Sequence, residues 1–526
     1  MSRSPGAAPE RQAPAAGERR SAVRGVAWTG VESAAGALVG FLLTPLVVRV
    51  AGIEGLGLWG ACWSLAHAAG VLDLGIGPSY ARFTSRAIAT GDAEGLNGTV
   101  AAGTGFHLGL ACLVAGAALL AGPRGLHFLV PPGPLSSQAP RLLACTLATV
   151  LLRMILSAYR GVIAGAQRID LLGRIGAGAS LLEGGLSAAC LFAGWGLPGM
   201  AMSSLFCAAL ASAAEGVTAH RLCPRLRVTP FLARRQDWKE MLSFGLRLQA
   251  TRAAEILAAR APNVALALGP GLAVAGAYDL GARVSGALQI VGTLPLPVVQ
   301  PLAGRLEALG DRDRLRLLAD RATRYVALMV LPCAALVLVD APALLVAWTG
   351  RAAPAGASAS ARLLALALAV SLLVSPTRLL LRGVGRPGIE TTASCLGSLL
   401  HLSLAIALAP FLGAAGVAGA ALTAAILAAG IVAAGALRWE RDLFGGLLRR
   451  SLAGPFIAGA AGLIAGLAPR LFATAPAAVL SGRAEALVRL LPEASALLAF
   501  TTLVAFLAGG VRWDDLAALR PSGGTP

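Results

Sequence analysis

Runs of about 20 apolar residues, each long enough to cross a ~30 Å hydrocarbon core as a helix, recur along the whole chain between short polar stretches. They fall near 26–48, 57–77, 99–121, 142–163, 175–195, 197–217, 242–268, 271–296, 322–346, 361–383, 389–411, 414–436, 452–469 and 490–511. The pattern predicts an all-α polytopic integral membrane protein with about 14 transmembrane helices. The interruptions divide it into a basic arm (1–24), an N-lobe of six helices (25–217), a linker (218–240), a C-lobe of six helices (241–437), a two-helix extension (438–511) and a tail (512–526).

An internal repeat explains why there are two lobes. The string GIEGLGLW from Gly52 to Trp59 returns as GLAVAGAY from Gly271 to Tyr278, an offset of 219 residues. GLPGMA from Gly196 answers GAAGVA from Gly413, and Arg160-Gly161 answers Arg382-Gly383, at offsets of 217 and 222. Three short matches at one spacing imply two homologous halves in parallel orientation, an architecture that builds a central site between the halves.

Composition agrees with a bilayer environment: 56% of the 526 residues are hydrophobic and 13% charged, at a mean hydropathy of +0.74. Too little polar surface is available to cover a water-soluble globule of this size. The net charge of +18 is mostly topological. With the N-terminus placed inside, twenty-eight Arg and Lys residues flank the inner helix ends and eight flank the outer ones. That asymmetry predicts a multi-pass protein of the inner (plasma) membrane with both termini cytoplasmic. The basic residues are scattered over short loops, so a nucleic-acid partner is not expected. The apolar run from Val26 is too long for a cleaved signal peptide.

Enzymatic signatures are missing from the pattern. No GxxxxGK[ST] occurs, and Lys239, the lone lysine, sits in QDWKE. No ATP-driven step, catalytic residue or cofactor is therefore expected. The eight cysteines form no CxxC, and the five histidines have no metal-ligand spacing, so no metal site is expected either. Asp311 and Asp313 form a DxD in a loop too short for a nucleotide-binding fold.

The informative chemistry is ionisable groups inside apolar runs, which normally face a wet cavity or a partner. The seventh run carries Arg247, Arg252, Glu255 and Arg260. At 100° per residue, with Arg247 at 0°, Glu255 falls at about 80°, Arg252 at about 140° and Arg260 at about 220°. So wide a polar sector predicts a helix lining a water-filled cavity, where guanidinium groups receive an anion, phosphate above all. Arg247, Arg252, Arg260 and Arg283 are the candidate substrate-binding residues. Snorkelling of Arg247 and Arg260, and pairing of Arg252 with Glu255 or of Arg283 with Asp279, are the competing readings. Glu32, Glu183, Glu255 and Asp279 are candidate ion-coupling groups or structural partners of the arginines, and Asp73 is expected to cap a helix or pair with Arg82 or Arg86.

The segment AGIEGLGLWGACWSLAHAAGVLDLGIGPSYARF (Ala51 to Phe83), with LGPGLAVAGAYDLGARVSGAL, LPVVQPLAGRLEALGDRDRL and LLVAWTG in the second half, resembles the polysaccharide exporters. These are lipid-linked oligosaccharide flippases of the multidrug/oligosaccharidyl-lipid/polysaccharide (MOP) superfamily. The resemblance covers roughly 25–440 and implies a V of two six-helix lobes, as in MATE transporters, with the last two helices as an extension. It implies alternating access through a cationic cavity that moves an undecaprenyl-diphosphate-linked glycan to the outer leaflet for surface polysaccharide synthesis. H⁺ or Na⁺ coupling, membrane lipids, a monomeric state, and the glycosyltransferases and polymerase of the same route as partners are implied with it. The family's acidic residue at the end of the seventh helix is replaced here by Ala261, Pro262 and Asn263. A multidrug cation antiporter is the nearer alternative and a membrane-embedded glycan polymerase or ligase the more distant one. The former should line its lumen with acids and the latter needs larger outer loops.

Overall fold

The computed structural model describes residues 16–129 and 135–447, together with isolated positions 452, 453, 455, 457, 460 and 490. The extension expected over 438–511 and the tail therefore lie almost wholly outside the described residues. The described chain is all helix: α1 (Ala16–Ala68), α2 (Ile76–Thr90), α3 (Ala93–Leu129), α4 (Ala139–Ile155), α5 (Ser157–Gly165), α6 (Ile169–Phe192) and α7 (Gly196–Leu222) form the first half. After the linker come α8 (Arg235–Leu268), α9 (Leu272–Thr293), α10 (Val299–Ala308), α11 (Arg312–Thr349), α12 (Ala357–Gly383), α13 (Pro387–Trp439) and the short α14 (Arg441–Phe444). Among the described residues, eight helical stretches are long and apolar enough to cross a bilayer. The runs expected over 242–268 and 271–296 are α8 and α9, whose charges keep them below that threshold.

The glycines that open the sequence repeats sit at chain reversals. Gly52, inside α1, has φ 74° and ψ −177°, and its counterpart Gly271 has φ 112° and ψ 172° ahead of α9. This region is open essentially to glycine alone. Gly196 and Gly413 likewise share positive φ, 59° and 53°. At Gly413 the chain turns back so far that a Cβ on Gly416 would come within 3.2 Å of Leu408 Cβ. The apolar pattern specified two runs on either side of Gly52 and of Gly413, and each pair is joined by a one-glycine corner.

The first part of α1 runs parallel to α6 along a seam of small residues. Trp28 lies over Gly173, Glu32 over Gly176 and Val39 over Gly184, where an added Cβ would meet them at 2.6, 2.1 and 2.7 Å. Close backbone approach of this kind drives helix association in lipid, where burial of apolar surface from water is not available as a force.

Core packing shows where the halves join. One cluster draws on both: Val47, Leu56, Leu197 and Met200 from the first, Leu280, Leu345 and Trp348 from the second. It lies at the end bearing Gly52, where Phe41 stacks on Trp348 at 4.7 Å and Trp348 Nε1 donates to Phe41 O at 3.0 Å. Toward the opposite end, which carries the linker, the halves keep separate cores. One is built on Tyr80, Val100, Val162 and Leu226, the other on Val299, Ala303, Leu315 and Leu381. Two bundles fused at one end and separately packed at the other make a V. The start of α8 belongs to the first bundle by contact, since Met241 is part of its core and Trp238 packs against it.

Candidate functional site: a charged cleft between the lobes

The lobes touch along a line of glycines. A Cβ on Gly57 would lie 1.9 Å from Leu272 O and 2.9 Å from Gly276 N, and one on Gly276 would lie 2.1 Å from Ile53 O. These two glycines are equivalent in the repeat, so the pseudo-twofold relating the lobes passes between them. Below this contact α1, α8 and α9 carry a polar seam. Gly60 faces Asn263 and Asp279, Asn263 Nδ2 donates to Ser64 at 3.4 Å, and Arg283 Nε donates to Asp279 at 2.9 Å. Arg283 Nη1 also donates to Thr44 Oγ1 at 3.0 Å and Gly40 O at 3.5 Å.

Arg283 is thus tied to Asp279 on its own helix and to α1 of the other lobe. The i, i+4 pairing is the competing reading stated above, and the geometry favours it: a strut between lobes, with both donor edges engaged. Glu183 accepts from Ser204 Oγ at 2.5 Å, which makes it a link between α6 and α7 within the first lobe. Glu32 lies 3.9 Å from Arg160, which binds Glu215 more tightly at 2.6 Å. Glu255 is exposed. The side chains of Arg247 and Arg252 lie outside the described residues.

Arg260 is half-buried on α8 and makes no hydrogen bond or ion pair with a described side chain. It and Arg153 of α4 are both close enough to act electrostatically on His67 of α1, and Arg153 also acts on Glu215. Arg153 is exposed and stands two turns before Arg160. Guanidinium groups from both lobes are therefore within electrostatic range of His67. In the second lobe Arg382 binds both carboxylate oxygens of Glu390 through one guanidinium edge, Nε and Nη2, and Arg378 is electrostatically coupled to Glu390 and Glu255.

Sequence reasoning used Arg160 and Arg382 only as repeat markers and assigned no site role to Arg153, Glu215 or Arg378. The Arg-Gly repeat was the signal that held them. Its glycine receives the helix that follows a break: Gly161 lies against Tyr80 of α2 and Gly383 against Gln300 O and Ala303 of α10. Its arginine then projects to an acid on a neighbouring helix.

Asp73 accepts from Gly77 N at 3.2 Å through one carboxylate oxygen, as a cap should, and its other oxygen meets His107 Nε2 at 2.6 Å. The linker is pinned to the first lobe. Asn97 Nδ2 donates to Arg225 O at 3.1 Å and Asn97 Oδ1 accepts from Arg227 N at 2.7 Å, while Arg234 meets Glu94 at 2.8 Å, a contact that raises the guanidinium above its ordinary pKa.

Solved transporters of the MOP superfamily share this fold. A MATE family multidrug resistance transporter of that superfamily, in its inward-facing conformation, aligns with a TM-score of 0.60 at 16% identity, covering 80% of this chain and 99% of that one. Its outward-facing counterpart gives 0.53 at 17% identity, covering 82% and 97%. The lipid II flippase MurJ, inward closed, gives 0.63 at 12% identity over 93% and 99%. At these identities the likeness is one of fold. The sequence itself matches the polysaccharide biosynthesis protein family over residues 22–307, more than half of its length, and the chain belongs to that family. Comparison with curated proteins finds no match.

Proposed function

We propose that this protein is a flippase that moves a polyprenyl-diphosphate-linked oligosaccharide from the cytoplasmic to the outer leaflet of the plasma membrane, by alternating access and without chemistry of its own. The carrying observation is that Arg153 from one lobe and Arg260 from the other both act electrostatically on His67, at a cleft whose walls have separate cores toward the linker end. An anion held there would bridge the lobes through charge-assisted hydrogen bonds. Family membership supports a glycan pathway, with glycosyltransferases and a polymerase upstream and downstream.

The arginine asymmetry puts the linker end in the cytoplasm, so the V is drawn open to the side where a lipid-linked glycan is made. The higher similarity to an inward-facing than to an outward-facing MATE structure supports the same sidedness. A diphosphate of charge about −2 moving outward across an inside-negative membrane gains roughly 2 × 2.3 kcal/mol per 100 mV. Arg247 and Arg252 join Arg153 and Arg260 as proposed lining groups, Arg378 and Glu255 stand at the second-lobe wall, and Arg283 is assigned to the lobe contact.

The test is a leaflet-resolved assay in proteoliposomes loaded with an undecaprenyl-diphosphate glycan. Arg153→Ala and Arg260→Ala should each reduce flux about tenfold or more, the scale of one lost charge-assisted hydrogen bond. Normal flux through the double variant, with efflux of a cationic dye instead, would replace this reading with the multidrug antiporter. Glu32 and Glu215 are the acids that favour that alternative, and Arg160 between them opposes it.

A further inference from the structure

The helix that descends from Gly52 is broken midway. After Ala68 the chain forms a 3-10 turn over Ala69–Asp73, passes through Leu74 and Gly75, both at positive φ (50° and 75°), and resumes as α2. The break begins about 24 Å along the helix from Gly52, at 1.5 Å per residue, which puts Asp73, a further five residues on, near the border of a ~30 Å hydrocarbon core. Asp73 stands at it. Its carboxylate reaches across to His107 of α3, Oδ1 to Nε2 at 2.6 Å, with the histidine side chain 1% exposed and the aspartate 19%. Ser157 Oγ, at the start of α5, lies 3.5 Å from the other ring nitrogen and donates its hydrogen to Met154 O at 2.7 Å.

The fold does not need this pair. The second lobe repeats the break, between α9 and α10 over 294–298, and at the offsets of 219 and 222 the positions of Asp73, His107 and Ser157 are Gly292, Val326 and Leu379. There the equivalent region is an apolar core, with Gly292 close against Val330 and Leu372 and Val326 fully buried. One lobe closes its broken helix with hydrocarbon, the other with an aspartate and a histidine. Buried ionisable groups in a membrane protein mark substrate paths, ion paths or proton relays.

The geometry points to Asp73 and His107 as the proton-binding site that couples the transport cycle proposed above to the proton gradient. Unloaded, the pair carries one hydrogen on Nε2, donated to the carboxylate, and a net charge of −1. Loading adds a proton from the aqueous side to the part-exposed carboxylate, and the pair becomes neutral while Nε2 keeps its hydrogen.

The site sits against α8 at its start, where that helix packs on the first bundle. A Cβ on Gly75 would lie 2.4 Å from Gly245 O, and one on Gly245 would lie 2.3 Å from Leu74 O, so the break is seated against the backbone of α8. A change of charge at Asp73 acts on the two residues that hold this contact. Among the described residues, the other titratable group facing His107 is Tyr80 of α2, with ring centroids 6.1 Å apart. From α8 the described neighbours are Gly245 and, toward Gly105, Trp238, and from α5 Ser157.

This inference rests on the transport reading but is testable apart from it. Amide protection over 69–80, obtained from hydrogen exchange by mass spectrometry after correction for the intrinsic base-catalysed rate, on the full chain in nanodiscs without substrate, should differ between pH 5.5 and pH 8 in the wild type. It should lose that dependence in Asp73→Asn and in His107→Gln, and in the Asp73→Gly, His107→Val double variant, which borrows the arrangement of the other lobe and so should fold. In proteoliposomes carrying the undecaprenyl-diphosphate glycan, a gradient of one pH unit should stimulate wild-type flux by up to about tenfold, the factor for one coupled proton. The variants should retain unstimulated flux only. A flat exchange profile in the wild type, or pH dependence that survives in all three variants, overturns the proton site. Absent flux with pH-dependent exchange intact overturns the flippase reading and leaves the proton site standing.

Discussion

At the scale of single residues, the cleft is held by arginines whose partners fix their roles. Glu215 is buried, with 4% of its side chain exposed against 42% for Arg160, and the two meet at 2.6 Å. Removing the guanidinium leaves a carboxylate in a dry site, whereas removing both charges does not. Arg160→Ala should therefore lower unfolding free energy by about 2–3 kcal/mol, with most of the loss recovered in the Arg160→Ala, Glu215→Gln double variant when both are followed by denaturant titration in micelles. An uncoupled pair, with no recovery, would mean that Arg160 acts on substrate alone. Which arginines were bound and which were open could not be read from the sequence. Arg283 and Arg260 stand in similarly apolar strings, yet one is anchored to Asp279 and Thr44 and the other meets no described partner, because partners come from helices distant in sequence. The Asp279–Arg283 pair, local at i, i+4, was the part that spacing revealed.

At the scale of elements, the apolar runs gave the helices and the glycine repeats gave their corners. Gly52 and Gly271 hold a backbone conformation closed to residues with a Cβ. Gly52→Ala or Gly271→Ala should cost about 1–3 kcal/mol, while Gly30→Ala or Gly109→Ala, at positions with open space and ordinary φ, should be neutral or gain up to about 1 kcal/mol. Thermal unfolding of the four variants checks the contrast, and equal effects at all four would remove the corners from the account. The broken helix at Ala69–Asp73 was hidden from sequence by its hydrophobicity. VLDLGIG reads as the end of a span, and only packing of α2 on Gly161 and of Gly75 on Gly245 shows that the chain continues beyond a kink.

At the scale of the whole molecule, alternating access requires the shared core at the Gly52 end to part. Phe41 and Trp348 close it from opposite lobes by stacking and by one hydrogen bond, and Arg351 adds donors to Val48 O and Arg49 O at 3.3 and 3.4 Å. Trp348→Ala should shift the population toward an opening there. Cys62, buried in this core, should then be alkylated by a membrane-impermeant maleimide about tenfold faster, the factor for a population shift of about 1.4 kcal/mol, as read by site-resolved mass spectrometry. Unchanged labelling of Cys62 would place the moving contact elsewhere. The sequence alone determined that this chain lives in a membrane, that it is helical and that it is built twice over, because span length, polarity and repetition are properties of a string. Tertiary structure decided which charges were neutralised and which were left to face the cleft. It also decided that one lobe alone sealed its broken helix with an acid and an imidazole, since a low-dielectric interior makes the role of a charge depend on its neighbours in space.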